Sequence, residues 1–285
     1  MRFPAEWGRR MINVWFRSGQ SNNRKTRHLF GGISDQLARQ RTQYLDLMEA
    51  VLVGTIYDDP PLPIFGSHVY DAEVRNRGLD WPKSAFSMIG SARMRNLRVL
   101  TERVIKERVL GDIVETGVWR GGASIMARAV LEAYEDRSRR VIAADSFAGL
   151  PAPDSNYDAD VGSNFHEYSE LVVSEDEVRR NFAKFNFCDD QVIFLKGWFK
   201  DTIPVIPTDR IAILRLDGDM YESTIIPLNY LFDKLSLGGW VIVDDYWVVP
   251  ACKAAVGDFL SSRGIEPKFH EIDGVGIYFQ KSSSS

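Results

Sequence analysis

Asp217 closes the apolar run Ile-Leu-Arg-Leu-Asp at 213–217, and Asp244 and Asp245 close a second run, Val-Ile-Val-Asp-Asp, at 241–245. In a parallel sheet, that position is where a chain leaves the strand and lines the crevice in which ligands bind. Three like charges gathered there repel one another unless a cation offsets them, and an all-oxygen donor set suits a hard divalent ion such as Mg2+. Upstream, Glu115-Thr116-Gly117-Val118-Trp119-Arg120-Gly121-Gly122 forms a glycine-rich turn ahead of an alanine-rich segment. Gly117 and Gly121 can take positive φ or let a ligand approach the backbone. A further apolar run ends in Asp145-Ser146, where an acid accepts hydrogen bonds from ribose hydroxyls. These residues read as an enzyme with a nucleotide-like cofactor at one end of a sheet and a metal ion at the other.

Two cofactors compete for that reading. An NAD enzyme would carry Gly-x-Gly-x-x-Gly with its acid about 20 residues further on. Here Val118, Trp119 and Arg120 separate Gly117 from Gly121, and Asp145 lies 28 residues beyond Gly117. The acidic triplet also has no part in simple hydride transfer. S-adenosyl-L-methionine accounts for both ends of the sheet better.

The elements that must position these groups follow from periodicity. Short Ile- and Val-rich runs at 112–116, 141–145, 192–195, 211–216 and 240–243 alternate with helix-like segments near 122–136, 174–186, 222–236 and 250–263. Strands alternating with helices predict an α/β, doubly wound, mostly parallel sheet covered on both faces. Residues 268–272 and 276–280 flank Asp273-Gly274, a hairpin signal that adds an antiparallel last strand. Before the sheet, apolar residues at helical spacing predict one helix from Asp35 to about Tyr57 and another from about Pro82 to Val109. The expected organisation is a basic arm over 1–42, a helical N-terminal cap over 43–109, a cofactor-binding domain over 110–281 and a disordered tail over 282–285.

Composition narrows the class. A 285-residue chain that is 45% hydrophobic can bury a full core, and its net charge of -4 argues against general nucleic-acid binding. No apolar run approaches the length of a transmembrane helix, and no secretory segment opens the chain, so a cytoplasmic protein is expected. Cys188 and Cys252 lack metal-type spacing and are expected as reduced, buried thiols. The first 30 residues hold seven Arg or Lys against Glu6 alone, with Trp7, Met11, Val14 and Trp15 at helical spacing. That arm could rest on an anionic membrane surface, pack on a partner subunit, or stay solvated.

With these blocks in view, the chain resembles the S-adenosylmethionine-dependent sugar O-methyltransferases of the macrocin, mycinamicin and novobiocin type. The matching stretches are Tyr-Leu-Asp-Leu-Met at 44–48, Met-Ile-Gly at 88–90 and the glycine-rich turn at 115–122. They continue with Ala-Asp-Ser-Phe at 144–147, Gly-Trp-Phe-Lys-Asp-Thr at 197–202, Asp-Gly-Asp at 217–219 and Asp-Asp-Tyr at 244–246. The resemblance implies a class I methyltransferase sheet with strand order 3-2-1-4-5-7-6, a homo-oligomer, Mg2+, and a deoxysugar hydroxyl as acceptor. Carried over residue by residue, it implies cofactor contacts at Met88, Glu115, Gly117, Asp145, Ser146, Gly197, Trp198 and Phe199, and metal ligation by Asp217, Asp244 and Asp245.

An alcohol is a poor nucleophile, so methylation needs a proton acceptor as well as in-line placement. The resemblance implies Asp217 as the acceptor, with His166 in Phe-His-Glu-Tyr as its rival. The catechol and coenzyme-A-ester methyltransferases resemble one another in a lysine three residues beyond the first acid. Met220 stands there in this chain, which disfavours a phenolic substrate. Asp219 is expected to cap the helix that begins near Tyr221. The acceptor is expected to be a small-molecule glycoside or glycolipid. A catechol- or phenol-type methyltransferase and a non-catalytic cofactor-binding scaffold are the rival readings.

Overall fold

The computed structural model describes residues 35–65 and 69–282. The basic arm up to residue 34, with its Trp and Arg pattern, and the last three serines lie outside these described residues. Two compact units divide the chain, Met1–Tyr44 and Leu45–Ser285. Among the described residues no helix is long and apolar enough to cross a membrane.

Helix α1 spans residues 35–52, α2 Ala72–Asn76 and α3 Gly90–Lys106. The expected helix from Pro82 therefore starts eight residues late. Its first turns are spent elsewhere: Phe86 and Ser87 both donate their N–H to Leu52 O, Lys83 donates to Pro60 O, and Ser84 and Ala85 donate to Asp59 Oδ2. Long-range partners outcompete the helical ladder, and Met88 and Ile89 are left in a non-helical approach to α3.

Five parallel strands follow, β1 Asp112–Thr116, β2 Val141–Asp145, β3 Val192–Lys196, β4 Ile211–Leu216 and β5 Leu235–Val243. The fifth begins five residues before the expected run, across a register shift opposite Ile211 and Ile213. Helices α4 Gly122–Ala133, α5 Glu175–Lys184, α6 Phe199–Thr202, α7 Tyr221–Leu231 and α8 Pro250–Arg263 make the crossovers. Short β6, His270–Glu271, and β7, Ile277–Gln280, close the edge as the expected hairpin. The sheet order is β3-β2-β1-β4-β5-β7-β6, with β7 antiparallel to both neighbours. This is the α/β class I methyltransferase topology.

Strand alternation assigns the two faces. Val114, Leu214, Leu216 and Val243 pack with Leu228, Leu231 and Phe259 of α7 and α8 in one buried cluster. Glu115 and Arg215, paired across β1 and β4, point to the opposite face although both are buried. A guanidinium and a carboxyl thus sit where that face would otherwise be apolar. Of the two cysteines only Cys252 is buried; Cys188 is exposed, because it follows α5 in a surface loop.

Candidate active site

The site is assembled by strands ending abreast. Thr116 aligns with Ala144 on one side and Leu216 on the other, and Leu216 aligns with Val243. The ladder runs one step further: Gly117 N–H donates to Ala144 O at 2.9 Å, Asp217 N–H to Thr116 O at 2.8 Å, and Asp244 N–H to Leu216 O at 2.9 Å. Asp145, Gly117, Asp217 and Asp244 therefore line up along the carboxyl edge of the sheet. Gly117, at φ 91°, leaves no room for a side chain, since a Cβ there would lie 1.7 Å from Asp217 O.

A cleft of about 450 Å³ opens along this edge, within the range of small-molecule sites. Met88, Glu115, Gly117, Asp145, Ser146, Gly197, Trp198 and Phe199 all line it. Gly121 does not. It is the residue before α4, at φ 91°, and a Cβ there would press on Val178 and Phe182 of α5. Asp145 also caps the turn that follows it, accepting from Phe147 N–H at 2.7 Å, and accepts from Val118 N–H of the glycine-rich turn at 2.6 Å. Burial pushes its carboxyl upward, while those N–H groups act in the opposite sense. Trp198 is 38% exposed and so is no core residue, whereas Phe199 packs against the main apolar cluster.

At the other end, one oxygen from each of Asp217, Asp244 and Asp245 falls within 4.8 Å of the others. Two guanidiniums that the sequence reading missed share this cluster. Arg215 Nη1 bonds Glu115 Oε1 at 2.6 Å and Asp217 Oδ2 at 2.8 Å, and its Nη2 bonds Asp244 Oδ1 at 2.6 Å. Arg93, from α3, bonds the other oxygen of Asp244 and reaches Asp273 at 2.9 Å. Arg215 had a local signal, an arginine inside an apolar strand two residues before Asp217. Arg93 had none.

Charge in this cluster does not balance. Glu115, Asp217, Asp219, Asp244 and Asp245 face Arg93 and Arg215, and Arg93 also serves Asp273. Burial, then repulsion from Asp219, Asp217 and Asp244, pushes the Asp245 carboxyl well above the usual range. Burial followed by Asp217 and Asp244 raises Asp219 to about 7. Burial likewise raises Glu115 to about 7, against the pull of Arg215. Burial alone would lower the Arg215 guanidinium, yet Asp217, Asp244 and Glu115 hold it well above its ordinary value. A surplus of buried carboxylate with oxygen-only donors is what a hard divalent ion compensates. The donor set is of a kind that suits Mg2+, and Asp244, both of whose oxygens accept from arginines, would have to divide them with such an ion.

Other expectations fell differently. His166 sits in a short turn, Phe165–Glu167, exposed and outside the cleft lining. Asp219 does not cap α7, because Asp160 does: its two oxygens accept from Tyr221 N–H at 2.6 Å and Glu222 N–H at 2.9 Å. Asp160 is buried, in the loop between β2 and α5, and ties that loop to the start of α7. Asp219 instead lines the cleft beside Glu222 and Lys200. Met220, at the position of the absent lysine, is buried ahead of α7.

The same chain resembles known proteins over most of its length. The family model described as macrocin-O-methyltransferase (TylF) matches residues 63–281. Demethyldecarbamoylnovobiocin O-methyltransferase of Streptomyces niveus is 49% identical over 244 residues, covering 84% of this chain and 93% of that protein. The 8-demethyl-8-(2,3-dimethoxy-alpha-L-rhamnosyl)-tetracenomycin-C 4'-O-methyltransferase of Streptomyces olivaceus is 47% identical over 251 residues, covering 86% and 95%. The solved structure of the O-methyltransferase NovP superposes with a TM-score of 0.82 at 48% identity, covering 85% of this chain and 99% of that one.

Proposed function

Since this chain belongs to the macrocin O-methyltransferase family and is an S-adenosylmethionine-dependent O-methyltransferase, we propose that it methylates a sugar hydroxyl of a glycosylated natural product or glycolipid, with Mg2+ in the site. One observation carries this reading: Asp217 belongs both to the lining of the cofactor cleft and to the acid triad. The group that would hold a cation is thereby the group beside which a methyl donor would lie.

Glu115, Gly117, Asp145, Ser146, the Gly197–Trp198–Phe199 segment and Met88, which line the cleft, would bind and orient the cofactor. Asp217, Asp244 and Asp245 would hold the metal. When bound, the sulfonium supplies an electrophilic methyl group and Mg2+ favours the alkoxide form of a coordinated hydroxyl. Asp217 would take the proton that the acceptor hydroxyl gives up on methylation. Arg215 keeps Asp217 and Asp244 in place by charge-assisted bonds at fixed geometry. His166, exposed outside the cleft, is the weaker candidate acceptor. The same reading places the enzyme in the cytoplasm as a homo-oligomer, with its basic arm available for weak contact with a membrane surface.

The test is methyl transfer to a panel of deoxysugar glycosides and simple phenols, with and without EDTA. Transfer to glycosides that stops on chelation and returns with Mg2+ is expected. Transfer only to phenols would move the enzyme to the catechol type, and indifference to EDTA would remove the metal. S-adenosylhomocysteine at a hundredfold excess over its Kd should stabilise the fold by about 2.7 kcal/mol, and NAD should not. Binding without turnover on every acceptor would favour a non-catalytic scaffold.

A further inference from the structure

Immediately past the triad, Trp247 and Val248 are 44% and 51% exposed. Exposed apolar residues that adjoin one another, unlike a lone exposed side chain, mark surfaces where ligands bind. Trp247 is nonetheless held firmly. Its backbone N–H donates to Val275 O at 2.9 Å, its ring meets Tyr246 edge-on at 4.9 Å, and Lys253 Nζ stands 4.3 Å from the ring centroid. Tyr246 links it in turn to Phe269, itself 38% exposed, at 5.5 Å. Only Tyr246 separates Trp247 from Asp245, so their Cα atoms are at most about 7.6 Å apart.

We propose that Trp247 is the platform on which the sugar ring of the acceptor stacks, its apolar C–H face against the indole, while the ring's hydroxyls reach the acid triad. This rests on the glycoside reading above and extends it to the acceptor side of the site. A pyranose has one apolar and one hydroxyl-rich aspect, and a rigid indole beside oxygen ligands matches both. Because the ring is fixed in advance, stacking on it costs little ordering. A second copy of the chain is the less suited occupant. Cores of protein interfaces are depleted of charge, whereas this patch adjoins Asp245 and carries Lys253 over the indole.

The experiment uses the full chain with S-adenosylhomocysteine and Mg2+, and methyl α-L-rhamnoside as the deoxysugar probe. Protein aromatic protons are saturated, and transfer to the probe's ring protons is read by NMR. Trp247→Ala should remove the transfer and raise the acceptor KM by about tenfold, a loss on the scale of one aromatic contact. Trp247→Phe should restore part of both. Thermal protection by S-adenosylhomocysteine should be the same in all three proteins, which separates loss of the platform from loss of the fold. Equal transfer in wild type and Trp247→Ala overturns the proposal. So does a change of oligomeric state on light scattering, which would assign the indole to a subunit interface. No transfer in the wild type to any deoxyglycoside, with phenol methylation intact, overturns the glycoside reading and the platform together. No transfer in Trp247→Ala alone, with its cofactor protection intact, is the result that supports it.

Discussion

Gly117 and Asp217 meet backbone to backbone: a Cβ on the glycine would stand 1.7 Å from the Asp217 carbonyl oxygen. The cleft and the acid triad therefore share a single edge, with no tolerance for a side chain between Gly117 and Asp217. Gly117→Ala combines that clash with a φ of 91°. The expected cost is at least about 4 kcal/mol in unfolding free energy, among the largest single-residue effects. Urea denaturation checks it, and a variant of wild-type stability would mean that the edge can spread.

Asp244 and Asp245 should respond in opposite directions to the same change. Asp245→Asn removes a half-buried like charge that no guanidinium bonds among the described residues, and should stabilise the metal-free protein by about 1 kcal/mol. Asp244→Asn leaves Arg93 and Arg215 short of a counter-charge, and should destabilise it by about 3–5 kcal/mol. Both should lose methyl transfer. Thermal melts in EDTA read the signs, and two changes of like sign would refute the division of roles.

Glu115 sets a pH dependence unusual for a carboxyl. Its folded pKa, about 7, lies above the ordinary 4.5. Between those values the folded state keeps a proton that the unfolded chain has released, so this group's contribution falls as pH rises from about 4.5 to 7. Glu115→Gln should flatten that part of the stability profile. Chemical denaturation of both proteins in EDTA at pH 5 and 7 gives the comparison, and parallel slopes would show that Glu115 ionises normally.

Asp160 is the fastener between the loop after β2 and the start of α7. Asp160→Ala strips two backbone N–H groups of their acceptor, and should cost about 1–2 kcal/mol, as loss of a helix cap does. Limited proteolysis should then cut within 150–172 well before the rest of the chain. An unchanged cleavage pattern would show that the loop is held by other contacts.

Much of this was legible in advance, and for a local reason. Each parallel strand announced itself as an apolar run rich in Ile and Val, and the acids at 145, 217, 244 and 245 stand where those runs stop. Arg215 was legible too in principle, since residues two apart on a strand share a face with whatever follows. The start of α3 was not, because the carbonyls of Leu52 and Pro60 take the N–H groups that the apolar period assigned to a helix. Gly121 looked like a ligand contact and serves α5 packing instead, a distinction that depends on where Phe182 arrives.

What the residue order determined alone was the succession of strands and helices, and which carboxylates end up at strand tips, because period and turn chemistry act over a few positions. Only the folded chain decided how those carboxylates are compensated. Arg93 is 151 residues from Asp244, and Asp160 is 61 from Tyr221. Partners that far apart leave no periodic trace, and a charge finds its counter-charge only after the sheet has brought distant segments to one edge.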